Sequence, residues 1–191
     1  LVITPYYNKT NAEGLIMHFK AINDAVKTPI ILYNVPSRTN MNITPQTLLK
    51  LTELNNVVAI KEASGDMSQV AKMKALCGDK IDIYSGNDDQ IIPVLSLGGI
   101  GVISVAANII PKTVHDMCES YLNGDCFKAT KLQLDYLELM NDLFIETNPI
   151  PVKTAMNVMG MNVGELRLPL YKMNDKNKET LVNTLKKYNL V

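Results

Sequence analysis

The chain has 191 residues, of which 47% are apolar and 20% charged, and its charges balance to zero. That is enough for one well-packed domain of ordinary globular composition. With no basic excess, no charge block and no apolar run long enough to span a bilayer, nucleic acid and membrane are not expected as partners.

The opening "LVITPYYNKT" carries no basic n-region or cleavage site, so no signal peptide is expected. It starts inside a strand-like run, and the expectation is a chain whose beginning is absent. Strand-like runs then alternate with helical segments. Residues 1–7 precede a helix over 13–26, and residues 29–35 precede one over 45–54. Residues 57–63 precede a helix over 67–77, 81–86 one over 89–97, and 101–107 one over 111–123. Thr44 before Pro45 and Asp66 before Met67 read as N-caps. Strands that are apolar on both faces and followed by helices imply parallel pairing.

Beyond residue 123 the pattern is purely helical, with one long amphipathic helix over 126–144 and two more over 150–160 and 177–189. Met156, Met159 and Met161 read as core filler. The expected division is therefore residues 1–123 as βα units and 124–191 as a helical extension. "LGGIG" at 97–101 lies before a strand, and reads as a helix end and tight turn, not a phosphate loop. Cys77, Cys118 and Cys126 form no CxxC pair and read as reduced thiols of a cytoplasmic protein.

Five βα units fit either an open parallel sheet or part of an eight-stranded barrel. Both place ligands at the carboxyl ends of the strands. Those ends carry Tyr6, Tyr7 and Asn8; Tyr33, Asn34, Ser37 and Arg38; Lys61, Glu62 and Ser64; Ser85, Gly86, Asn87 and Asp88; and Ser104 and Asn108. No histidine is among them, so no transition-metal site is expected. Glu62, Asp88 and Asp89 could hold a hard cation, but nothing specifies one.

Lys61 ends the buried-strand pattern "VVAIK", where alternation would point Val57 and Ala59 the same way as the lysine. Desolvation there would lower its pKa and leave an amine nucleophilic toward carbonyl carbons. Tyr33 and Tyr7 suit proton transfer beside it. Arg38, one of two arginines, offers a planar fork for a carboxylate. These residues read as Schiff-base chemistry on a small oxo acid. The other reading is a structural lysine paired with a carboxylate.

In chain order, "TPYYNK", "ILYNVPSRT", "AIKEASGD", "SGNDD", "GVISVAAN" and "NPIPVK" resemble the dihydrodipicolinate synthase family over essentially the whole chain. The resemblance implies a (β/α)8 TIM barrel, here as its last five units with C-terminal helices. It implies a homotetramer built as a dimer of dimers, with no cofactor. It also implies condensation of pyruvate with aspartate semialdehyde in diaminopimelate and lysine biosynthesis. By motif, Lys61 would form the imine with pyruvate. Tyr33 would relay protons, and Tyr7 would extend the relay into a neighbouring subunit. Arg38 would hold the semialdehyde carboxylate, Gly86 and Ile103 would line the pyruvate pocket, and Tyr6 would lie near a lysine-inhibition site.

The resemblance also implies about three earlier βα units of some thirty residues each. They include a Gly-Thr-Thr segment for the pyruvate carboxylate, which this sequence does not contain. Five strands cannot close the barrel, so the chain alone is expected to show little activity and to expose two sheet edges. A sugar-acid aldolase of the same family (N-acetylneuraminate lyase-like) and a silent scaffold are the alternatives. Arg38 separates the first of these from the synthase.

Overall fold

A computed structural model describes all 191 residues. The chain forms two compact units, Leu1–Ile103 and Ser104–Val191.

The first unit holds a five-stranded parallel sheet in chain order: β1 (Val2–Ile3), β2 (Ile30–Asn34), β3 (Val57–Glu62), β4 (Asp82–Ser85) and β5 (Gly101–Val102). The crossover helices are α1 (Ala12–Ala25), the short α2 (Pro36–Thr39), α3 (Pro45–Leu51), α4 (Met67–Cys77) and α5 (Ile91–Ser96). Strictly sequential order without a reversal is the arrangement of a barrel wall, whereas doubly wound sheets reverse direction. Leu32, Ile60 and Ile83 of the sheet pack with Leu15 and Phe19 of α1, Leu48 and Leu51 of α3, Val70 and Met73 of α4, and Val94 of α5. Helices therefore cover one face of the sheet with one apolar core.

The caps explain where these helices start. The Thr44 side chain accepts from Thr47 N–H at 3.2 Å, with Pro45 at the first position, and Asp66 accepts from Gln69 N–H at 3.1 Å. The glycines after α5 form its terminal turn. Gly98 has φ 86°, and a Cβ at Gly99 would come within 2.9 Å of the Val94 carbonyl.

Two local differences from the sequence reading have clear causes. β1 and β5 are two residues each because the backbone soon turns, at β5 into a 3₁₀ turn over Ala106–Asn108. In β3 a bulge breaks the alternation: Ile30 pairs with Val57, but Ile31 pairs with Ala59. Val57 therefore joins the helix-side core with Ile60 instead of sharing the Lys61 side, and Val58 is 41% exposed.

The second unit is helical: α6 (Pro111–Leu122), α7 (Cys126–Asp135), α8 (Leu137–Asp142), α9 (Ile150–Val158) and α10 (Asp175–Lys187). The long helix expected over 126–144 is two, broken at Tyr136. The Tyr188 hydroxyl donates to the Asp135 carbonyl at 2.7 Å, and its ring stacks on Tyr136 at 5.0 Å, which draws that carbonyl out of the helical ladder. Met156, Met159 and Met161 are not core filler. They are half-buried or exposed, while Met117, Met140 and Met173 fill the interior of this unit.

Candidate active site

Register places one transverse row of residues across the sheet: Ile3, Tyr33, Lys61, Tyr84 and Gly101. Partners in such a row point to the same face, here the face that the helices leave uncovered. Lys61 Nζ lies 4.5 Å from the centroid of the Tyr33 ring. Tyr84 flanks Lys61 on the next strand. The sequence offers only a tyrosine before "SG"; the register that makes it a neighbour of Lys61 exists only in the folded sheet.

Burial and two neighbouring charges set the state of Lys61. Burial lowers its pKa from the ordinary 10.5, the Asp88 carboxylate opposes that, and the Arg38 guanidinium lowers it again. Burial raises the Tyr33 pKa, against Arg38, so the phenol keeps its proton at neutral pH. An amine biased toward its free base over a protonated phenol can attack a carbonyl carbon and receive help with the resulting hydroxyl.

Arg38 sits at the end of α2, exposed, with its charge felt at both Tyr33 and Lys61. Pro36 opens this one-turn helix, and Asn40 closes it in the left-handed region at φ 53°. Thr39 Oγ1 fixes the turn by donating to the Met41 carbonyl at 3.1 Å.

Gly86 crosses close to the amine. A Cβ there would lie 3.2 Å from Lys61 Cε and 2.6 Å from the Ala63 side chain. Its N–H donates to the Glu62 carbonyl at 2.7 Å. Ile103 is half-buried just past β5, its N–H donating to the Ser85 carbonyl at 2.9 Å. Tyr6 and Tyr7 lie on the loop after β1, 73% and 86% exposed. The structure therefore brings Lys61, Tyr33, Gly86 and the charge of Arg38 together, and leaves Tyr6 and Tyr7 on the surface.

The carboxylates considered for a cation have other surroundings. Glu62 points to the helix side, where it accepts from Asn34 Nδ2 at 2.8 Å and from Ser64 N–H at 2.6 Å. Asp88 is buried, and Asp89 follows it, exposed, on a 3₁₀ turn. In the second unit, His115, Asp116 and Glu119 present ligand atoms within 4.8 Å of one another on α6. Lys112 already occupies Asp116 there at 2.6 Å. A cavity of about 870 Å³ between α9 and α10 is lined by residues such as Lys153, Asn157, Tyr171 and Lys178, and by none of the residues above.

Comparison with known proteins gives this geometry its context. Residues 1–188 match the model of the dihydrodipicolinate synthetase family. A 4-hydroxy-tetrahydrodipicolinate synthase of Clostridium novyi is 68% identical over 99% of this chain, which spans 64% of that protein. The Thermoanaerobacter pseudethanolicus synthase is 60% identical, and the chain spans 65% of it. Among solved structures, dihydrodipicolinate synthase of Thermotoga maritima superposes with a TM-score of 0.96 at 43% identity, covering all of this chain and 66% of that one. A protein described as the first monomeric dihydrodipicolinate synthase variant superposes with a TM-score of 0.95 at 42% identity, with 65% of it covered. The sheet is thus five strands of a TIM barrel, and the chain belongs to the dihydrodipicolinate synthetase family.

Proposed function

We propose that this chain carries the imine-forming site of a 4-hydroxy-tetrahydrodipicolinate synthase, which joins pyruvate to aspartate semialdehyde. The observation that carries the reading is the Lys61 amine, its pKa lowered by burial, held 4.5 Å over the Tyr33 ring. The names of the relatives support the substrate pair.

The free amine of Lys61 attacks the keto carbon of pyruvate. The carbinolamine loses its hydroxyl as water, with Tyr33 supplying the proton, and an imine results. Loss of a methyl proton gives an enamine, whose terminal carbon forms the new bond to the aldehyde carbon of the second substrate. Arg38 pairs with that substrate's carboxylate through its planar fork. Gly86 leaves room at Lys61 Cε for the bound three-carbon acid, and Ile103 closes the pocket beyond β5. The exposure of Tyr7 and Tyr6 suits side chains offered to a neighbouring copy or an effector. A homotetramer built from two dimers belongs to the same reading. No helix is long and apolar enough to cross a membrane, which fits a cytoplasmic biosynthetic enzyme.

The test is to treat the complete barrel protein that contains this chain with pyruvate and borohydride, digest it, and map the adduct by mass. The expected product is a single reduced adduct on Lys61. An adduct elsewhere, or none, refutes the assignment.

A further inference from the structure

Behind the reactive row lies a second, polar one. On the uncovered face Tyr33 and Lys61 are register partners, and one residue further on, facing the helices, so are Asn34 and Glu62. Glu62 is only 3% exposed. Its Oε2 accepts from Asn34 Nδ2 at 2.8 Å, and its Oε1 accepts from Ser64 N–H at 2.6 Å. The same Asn34 amide donates to Asn42 Oδ1 at 2.9 Å, and its oxygen accepts from Ile43 N–H at 2.8 Å. Asn42 and Gln69 exchange a reciprocal amide pair at 2.8 and 3.1 Å. Gln69 stands in the first turn of α4, just after its cap Asp66. The network thus joins the ends of β2 and β3, the loop after α2, and the start of α4.

Packing alone does not ask for this. Burial raises the Glu62 pKa, and the opposing causes are hydrogen bonds from Ser64, Asn34 and Gln69. An apolar pair of similar volume commonly packs as well as a buried polar one. What a satisfied polar network does supply is a unique arrangement. Adjacent residues of a strand share their backbone, so fixing Asn34 against Glu62 also fixes Tyr33 against Lys61. The Glu62 carbonyl further holds Gly86 N–H at 2.7 Å, next to Lys61 Cε.

We infer that Asn34 and Glu62 are positioning residues, a clamp on the reverse face that holds the Lys61 amine over Tyr33 and keeps it out of water. The inference rests on the reading of Lys61 as the imine-forming residue. Around that amine stand the phenols of Tyr33 and Tyr84, the Asp88 carboxylate and the Arg38 guanidinium, with Glu62 on the far side of the strand. The asparagine variants leave all of these in place, and loss of the Glu62 carboxylate would by itself lower the Lys61 pKa, so a rise at Lys61 reports its solvation and placement.

The experiment is competitive acetylation of the whole chain with acetic anhydride across a pH range of about 6 to 11, wide enough to bracket a lysine titration. Lys61 is read by mass spectrometry against the exposed Lys128 and Lys176. Pyruvate and borohydride trapping runs in parallel. Asn34→Ala and Glu62→Ala should raise the Lys61 titration midpoint by about one unit, leaving about tenfold less free amine near neutral pH. Glu62→Gln, which keeps the acceptor for Asn34 but not the one for Ser64, should fall between these and the unaltered protein. Asn42→Ala, at the exposed end of the network, should shift Lys61 slightly in the same direction, and tests the idea even where a buried variant fails to fold. Folded variants that melt earlier with an unchanged Lys61 profile would reduce the network to a structural role and overturn the inference. If the unaltered protein traps no pyruvate while the labelling shifts appear, the substrate reading fails and the clamp stands. If pyruvate is trapped while the labelling stays unshifted, the substrate reading stands and the clamp fails.

Discussion

The two faces of the sheet are built from the same strands, one residue out of step, and have opposite characters. Toward the helices Leu32, Ile60 and Ile83 are buried in a continuous apolar core. On the other face Tyr33, Lys61 and Tyr84 are half-buried and polar at their tips. Apolar packing is concentrated on one side, and the groups proposed to react on the other. Substitutions should therefore separate by the face that each side chain occupies.

The largest effect expected is on the reactive face. Lys61→Ala should abolish the borohydride-trapped pyruvate adduct while leaving the circular dichroism spectrum unchanged. Persistence of the adduct would break the division. On the helix face Ile60→Ala should cost about 2–5 kcal/mol of stability through lost contacts and a cavity. The folded fraction should still label at Lys61, as denaturant titration with parallel trapping would show.

In the complete enzyme Arg38→Ala, beyond the edge of both faces, should lower kcat/KM for the aldehyde substrate by about 30- to 1,000-fold, the loss of roughly 2–4 kcal/mol. Trapping of pyruvate should change little, and Arg38→Lys should not rescue, because an ammonium lacks the planar fork. Equal effects on both substrates would remove Arg38 from its assigned place.

The smallest effect is a pH dependence. Because the folded pKa of Lys61 lies below its ordinary 10.5, the unfolded chain binds more protons between those two values, and stability rises with pH across that window. Below the folded pKa the cost of burying the ammonium is fully present. Lys61→Met should therefore be the more stable protein at neutral pH, with the difference fading as pH passes about 10.5. Thermal melts of both proteins at several pH values check the sign.

The sequence is most informative where local chemistry and global fold agree. The N-caps Thr44 and Asp66, the start of α4, and the convergence of Tyr33, Arg38, Lys61 and Gly86 can all be read from residue type and spacing. It is silent where the decisive partner is distant in the chain. Tyr188 breaks a helix at Tyr136 from 52 positions away. The Asn34–Glu62 bond spans 28 residues, and nothing in "YN" or "KE" announces it. One-turn helices such as α2 are too short to show a period, so Arg38 reads as a loop residue until the fold is seen.

The extra residue in β3 has a consequence for anyone scanning this strand. Before Val58 the odd position, Val57, faces the helices; after it the even positions, Ile60 in the core and Glu62 in its polar network, do. A saturation-mutagenesis map of residues 57–62 should therefore show one tolerant position, Val58, between the buried Val57 and Ala59, with no second tolerant position among the buried Ala59, Ile60 and Glu62. Deleting Val58 would restore a regular alternation on paper. Val57 and Ile60 would then both face the core, and Ala59 and Lys61 the opposite side, in one uninterrupted alternation.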